Sequence, residues 1–214
     1  MVGEESEDEE LTIACEDRDF TEWHGGHTHA AVWAFELDLP EVRDMLAAAH
    51  ERLGHLLLPR YQRQPHVTVS FAGLLSPTDF TDERLDADLT ILRGLLSGPV
   101  TLTATGWSSF PMVPYLRIDA NWPHAARDAL NLSRPDAAKN YQPHVTIGLY
   151  GTSVPIQLAV ERITDLPFGG SWVLNKLSLL RYETADIAGP LEVIGRLDLT
   201  TGIFTQTNVP MSGA

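Results

Sequence analysis

One eight-residue segment occurs twice in this chain. Gln64-Pro65-His66-Val67-Thr68-Val69-Ser70-Phe71 matches Gln142-Pro143-His144-Val145-Thr146-Ile147-Gly148-Leu149 at five of eight positions, with the copies 78 residues apart. Two of the three differences keep an apolar residue. Each copy follows a helical pattern. That period is too long for a solenoid of short repeats and points to two similar lobes.

Side chains alternate along a strand. Val67, Val69 and Phe71 are therefore expected to face the core, with His66 and Thr68 on the other face. In the second copy Val145, Ile147 and Leu149 are expected inside, with His144 and Thr146 outside. Each strand would present an imidazole and a hydroxyl about 7 Å apart. Two such strands about a pseudo-twofold axis would line a cleft with two of each. A single His-Val-Thr-Val is only a strand with a polar face. Two copies, each after Gln-Pro, are hard to explain that way. Phosphodiester hydrolysis needs a base for the attacking water and an acid for the leaving oxygen, and histidine titrates in the right range for both. Imidazolium and hydroxyl donors also suit the charge that gathers on phosphoryl oxygens.

The rest of the chain reads as a mixture of strands and helices without strict alternation, hence α+β. Strands are expected at 30–37, 66–72, 100–105, 115–120, 144–150, 172–182 and 191–199. In the last of these Leu191, Val193, Leu197 and Leu199 would share one face. Helices are expected at 40–53, opened by Pro40 and stopped by Gly54, at 82–96 with Thr81 as cap, and at 123–132. The run Glu4 to Glu10 reads as a solvated tail, and residues 1–28 as an acidic, mobile segment. A single globular unit is expected over 29–200, with a tail at 201–214.

The chain has 214 residues, no apolar run near the roughly 20 that a membrane helix needs, and no hydrophobic stretch in its first ten residues. A soluble, cytoplasmic monomer is the expectation, with no membrane partner. The formal net charge of −14 argues against long duplex nucleic acid, whose affinity comes from Lys and Arg, but not against a small nucleotide or an RNA end. The lone cysteine, Cys15, excludes an intrachain disulfide, and its acidic surroundings disfavour a thiolate nucleophile.

At the paired His-x-Thr-x motifs the chain resembles the 2H phosphoesterase superfamily, which includes the bacterial RNA 2′,3′-cyclic phosphodiesterases of the 2′-5′ RNA ligase family. The order of elements is similar from about Ala30 to Leu199. The resemblance implies two antiparallel sheets flanking a cleft, with helices outside and no metal or other cofactor. It implies catalysis by His66 and His144 and phosphate contacts from Thr68 and Thr146. Members act on 2′,3′-cyclic phosphates, ADP-ribose cyclic phosphate, 2′-5′ oligoadenylates and cyclic oligonucleotides. The first class is the expectation here, and the reverse reaction would be a ligation. In the best-known bacterial branch the second motif continues into Ala-Arg. Here Gly148, Leu149 and Tyr150 follow Thr146.

Other residues could join such a site. Tyr141, Tyr115, Phe110 and Trp107 could stack on a base, although aromatics are more often core. Arg60 and Arg63 could attract phosphate, or be plain surface. His29 could reach the cleft from the neighbouring strand. His24, His27 and His29 could instead hold a metal, which would make the chain a metal hydrolase, but a polar loop is the preferred reading. A third reading is a module that binds an RNA end or nucleotide without turnover.

Overall fold

A computed structural model describes residues 10–132 and 140–209. In chain order the strands are β1 (His29–Glu36), β2 (His66–Leu74), β3 (Val100–Ser109), β4 (Pro114–Asp119), β5 (His144–Thr146), β6 (Ser171–Leu174), β7 (Lys176–Glu183), β8 (Glu192–Asp198) and β9 (Phe204–Gln206). The helices are α1 (Thr21–His24), α2 (Pro40–Leu53), α3 (Asp82–Arg93), α4 (Asn121–Asn131) and α5 (Ile156–Glu161). All strand pairs are antiparallel. They build a five-stranded sheet, β2-β1-β7-β8-β9, and a four-stranded sheet, β5-β4-β3-β6.

The duplication is structural. In the first lobe β1, α2 and β2 follow one another, and Ala34, Phe35 and Glu36 face Thr68, Val67 and His66. In the second lobe β4, α4 and β5 do the same, and Tyr115, Leu116 and Arg117 face Thr146, Val145 and His144. The carbonyl of Pro65 accepts from Leu37 N–H at 2.9 Å, and that of Pro143 from Ile118 N–H at 2.9 Å. The repeated Pro-His thus fixes the same register twice. Val67 and Val145 are fully buried. Each valine contributes roughly 1.5–3 kcal/mol by leaving water. One core runs through both lobes, from Trp33 and Phe35 to Leu116 and Ile118, under the buried stripes of α2 (Val42, Leu46, Ala49, Leu53) and α3 (Leu85, Leu89, Leu92). Pro40 opens α2, and the Thr81 hydroxyl accepts from Arg84 N–H to cap α3.

Five expectations are corrected. Phe71 is not in the core: it is 41% exposed. A bulge in β2 pairs Thr68 with Ala34 but Ser70 with Trp33, so alternation breaks at Val69 and Phe71 joins the open face, 6.2 Å from Trp23. A second bulge, between β7 and β8, separates Leu191 and Val193 from Leu197 and Leu199, which enter the main core. The expected strand 172–182 is two strands that break at Asn175 and belong to different sheets. Residues 1–9 lie outside the described part, but Glu10 onward is not free. Thr12 N–H donates to Val154 O and Cys15 N–H to Tyr150 O, both at 2.7 Å, while Arg60 pairs with Asp17. At the other end β9 pairs with β8, so the folded unit passes residue 200. Among the described residues no helix is long and apolar enough to cross a membrane.

Candidate active site

Strands β2 and β5 approach each other across the cleft and bring the two motifs together. His66 Nδ1 lies 2.7 Å from the carbonyl oxygen of Gln64, and His144 Nδ1 lies 2.7 Å from that of Gln142. A carbonyl can only accept, so both rings carry their proton on Nδ1 when neutral. Each Nε2 is then left with a lone pair. The repeated glutamines thus have a physical role, a backbone acceptor two residues before each histidine that sets its tautomer.

Both rings are half-buried. Burial pushes His66 down to about 4. The Gln64 carbonyl opposes the shift, and the charges of Arg63 and His144 add to it. Burial also lowers His144, against the Gln142 carbonyl. His66 is therefore the more firmly neutral of the two. Phe110 and Tyr115 stack at 4.4 Å between centroids, and both rings sit 5.1 Å from His144. They form the wall that desolvates it. A cavity of about 140 Å³ opens beside His66, with Glu36 and Asp38 at its polar side and Leu180, Leu191 and Val193 at its apolar side.

The threonines keep the expected face. Thr68 and Thr146 are both half-buried. Tyr141 reaches across the lobes, its hydroxyl donating to Thr68 O at 2.7 Å while its ring carries the Arg127 guanidinium at 4.6 Å. Tyr61 was not legible as a site residue. It is half-buried beside the Thr146 side chain, and burial pushes its hydroxyl up. Trp107 is core, with its indole N–H donating to Leu166 O.

Other candidates lie elsewhere. His29 is on the opposite face of β1 from Ala34 and Glu36, where it lines a separate cavity with Arg181, Glu183 and Glu192. Both nitrogens of His24 are engaged, Nε2 by Asp19 at 2.6 Å and Nδ1 by Gly26 N–H at 3.2 Å, so it has no lone pair to offer a metal. Among the described residues no three His, Cys, Asp or Glu side chains converge as ligands. Arg60 is tied to Asp17 and Asp186. Burial raises the Cys15 thiol, which sits 3.7 Å from Met112 O.

Two lobes related by a pseudo-twofold, each carrying a His-x-Thr strand into a shared cleft, define a two-histidine phosphoesterase scaffold. The model of the 2′-5′ RNA ligase superfamily matches residues 32–186, and the chain belongs to that family, within the 2H phosphoesterases. Solved structures share the fold. TT0787 of Thermus thermophilus covers 80% of this chain and 98% of its own at 19% identity, with a TM-score of 0.57. E. coli LigT with 3′-AMP covers 81% and 99% at 19% identity, with a TM-score of 0.56. No curated protein matches the sequence significantly.

Proposed function

We propose that this chain opens the 2′,3′-cyclic phosphate of a nucleotide or RNA end without a metal. The observation that carries the reading is the matched pair of histidines, each locked through Nδ1 to a carbonyl and each left with a free Nε2. Neutral His66 takes a proton from water through Nε2 as the water oxygen bonds to phosphorus. The bond from phosphorus to one ribose oxygen breaks, and that oxygen takes the proton on Nε2 of His144. The product is a ribose phosphomonoester, and the two histidines have exchanged protonation states. His66 is assigned as the base because its surroundings hold it neutral more firmly. Thr68 and Thr146 donate to the non-bridging oxygens. LigT has been solved with 3′-AMP, a ribose phosphomonoester, and that is the ligand class expected here.

The test is product analysis with 2′,3′-cyclic nucleotides, 2′-5′-linked dinucleotides and cyclic oligonucleotides, each with and without EDTA. Turnover of the first class to a monophosphate, unchanged by EDTA, is the expected result. Turnover of only the second or third class would move the substrate. Tight binding without product from any class would make the chain a binding module, and loss of activity with EDTA would end the metal-free mechanism.

A further inference from the structure

Most arginines of the described residues have a carboxylate. Arg18, Arg43, Arg52, Arg60, Arg84, Arg181 and Arg196 all lie within ion-pair distance of one. Arg63 does not. Its Nε is buried without a hydrogen-bond partner, in a chain with a formal net charge of −14. A buried cationic donor left unsatisfied is costly, and such a group persists where a ligand completes it.

Geometry says where that ligand would sit. The guanidinium carbon of Arg63 lies 4.4 Å from the centroid of the Tyr182 ring. Stacking fixes the plane of the fork and leaves its edge for a planar or tetrahedral oxyanion. Tyr182 lines the His29 cavity and packs against the cluster that holds Leu180 and Leu191, and those two also line the cavity beside His66. The segment that carries Arg63 runs from Leu58, bonded to Leu149 O of the second lobe, into His66 of the first. Gln62 and Gln64 are exposed along it, while Tyr61 and Arg63 turn the other way. Tyr61 meets Thr146. The segment therefore brings Tyr61 beside the second motif and Arg63 close enough to His66 for its charge to be felt there. Arg117, the register partner of His144, is also near the site, but it is solvent-exposed.

We propose that Arg63, held flat on Tyr182, binds a non-bridging oxygen of the reacting phosphate. This rests on the reading of the cleft as a phosphoesterase site. Arg63 would act in two ways. It would anchor the substrate, and its charge would help hold His66 neutral between substrates. The charged and titratable groups around His66 are Arg63, His144, and the carboxylates Glu36 and Asp38 that line the same cavity. Of these, Arg63 and His144 act to lower His66.

The experiment compares wild type with Arg63→Gln and Arg63→Lys. Binding of inorganic phosphate and of adenosine 3′-monophosphate is measured by calorimetry. Turnover of adenosine 2′,3′-cyclic phosphate and the NMR titration of His66 are followed in parallel. Arg63→Gln should weaken both ligands by about 10- to 100-fold, the usual worth of a hydrogen bond to a charged group. It should lower kcat/KM by at least as much and move the His66 midpoint upward. Arg63→Lys should keep the low His66 midpoint yet bind several-fold more weakly, because it lacks the fork. Millimolar guanidinium should restore part of the activity of Arg63→Gln. Should Arg63→Gln fail to fold, Arg63→Lys carries the comparison. Phosphate affinity at the wild-type level in a folded variant overturns the proposal. If wild type opens no cyclic phosphate but binds phosphate through Arg63, the assigned reaction falls and this inference stands.

Discussion

His66 and His144 differ little in sequence context, yet the fold gives them different surroundings. If they act as base and acid, His66→Ala and His144→Ala should each lower turnover by about two to four orders of magnitude. The double variant should be little worse than the weaker single, because each proton transfer depends on the other. Both should stay folded, since Val67 and Val145 hold the strands from the core side. Near-normal turnover by either folded single variant would sink the two-histidine mechanism. The pKa directions also set a pH profile. A base held at about 4 remains neutral through mildly acidic pH, so the acid limb of kcat/KM should fall below about pH 5. An acid lowered from 6.5 loses its proton early, so the alkaline limb should begin below that value. The optimum should therefore lie on the acid side of neutrality, and an optimum above pH 8 would contradict the lowering of both histidines by burial. Stability follows the same sign. Both histidines bind fewer protons folded than unfolded, so stability is full above about pH 6.5 and is lost as pH falls toward 4. At this scale the sequence shows the two histidines and two threonines, because repetition exposes them. It hides Tyr61 and the partner of Arg63, because a lone Tyr or Arg in an extended segment carries no periodic signal.

The elements most legible in the sequence are those with an unbroken period or a chemical stop. Helix α2 begins at Pro40 and ends before Gly54, and α3 begins after Thr81. What fails is alternation across bulges. One extra residue turns every later side chain to the other face, and no residue type announces it. That moved Phe71 out of the core and split Leu191 and Val193 from Leu197 and Leu199. The bulge in β8 places Gly195 opposite Leu179 on the core side. A Cβ there would meet the Phe204 ring at 2.1 Å. Gly195 is thus required by the close approach of β9. Gly195→Ala should force Phe204 aside and destabilise the protein by about 1–3 kcal/mol, the usual cost of overpacking. Chemical denaturation would measure it. A companion Phe204→Ala change in the same chain should recover part of the loss, since it removes the clash. No loss from Gly195→Ala alone would mean that β9 is free to shift, which its pairing with β8 argues against.

The two lobes share one core, so the cleft between their motifs is set by the packing of the whole molecule. Its size and charge bear on the length of substrate. Among the described residues, the cations near the site are chiefly Arg63, Arg117 and Arg127, while the chain as a whole carries a formal charge of −14. A nucleotide with one or two phosphates can be held by those local groups. Each further phosphate of a long RNA would lie over an acidic protein and gain nothing from it. A 20-nucleotide RNA ending in a cyclic phosphate should therefore show a lower kcat/KM at low salt than a mono- or dinucleotide with the same end. The repulsion acts over about 30 Å at 0.01 M salt and about 8 Å at 0.15 M. The gap between long and short substrates should narrow as salt rises across that range, while the short substrate changes little. Steady-state rates on the two lengths at several salt concentrations would measure it. The opposite pattern, a kcat/KM that grows with length and collapses with salt, would require a basic track leading away from the cleft and would overturn the assignment of a small ligand.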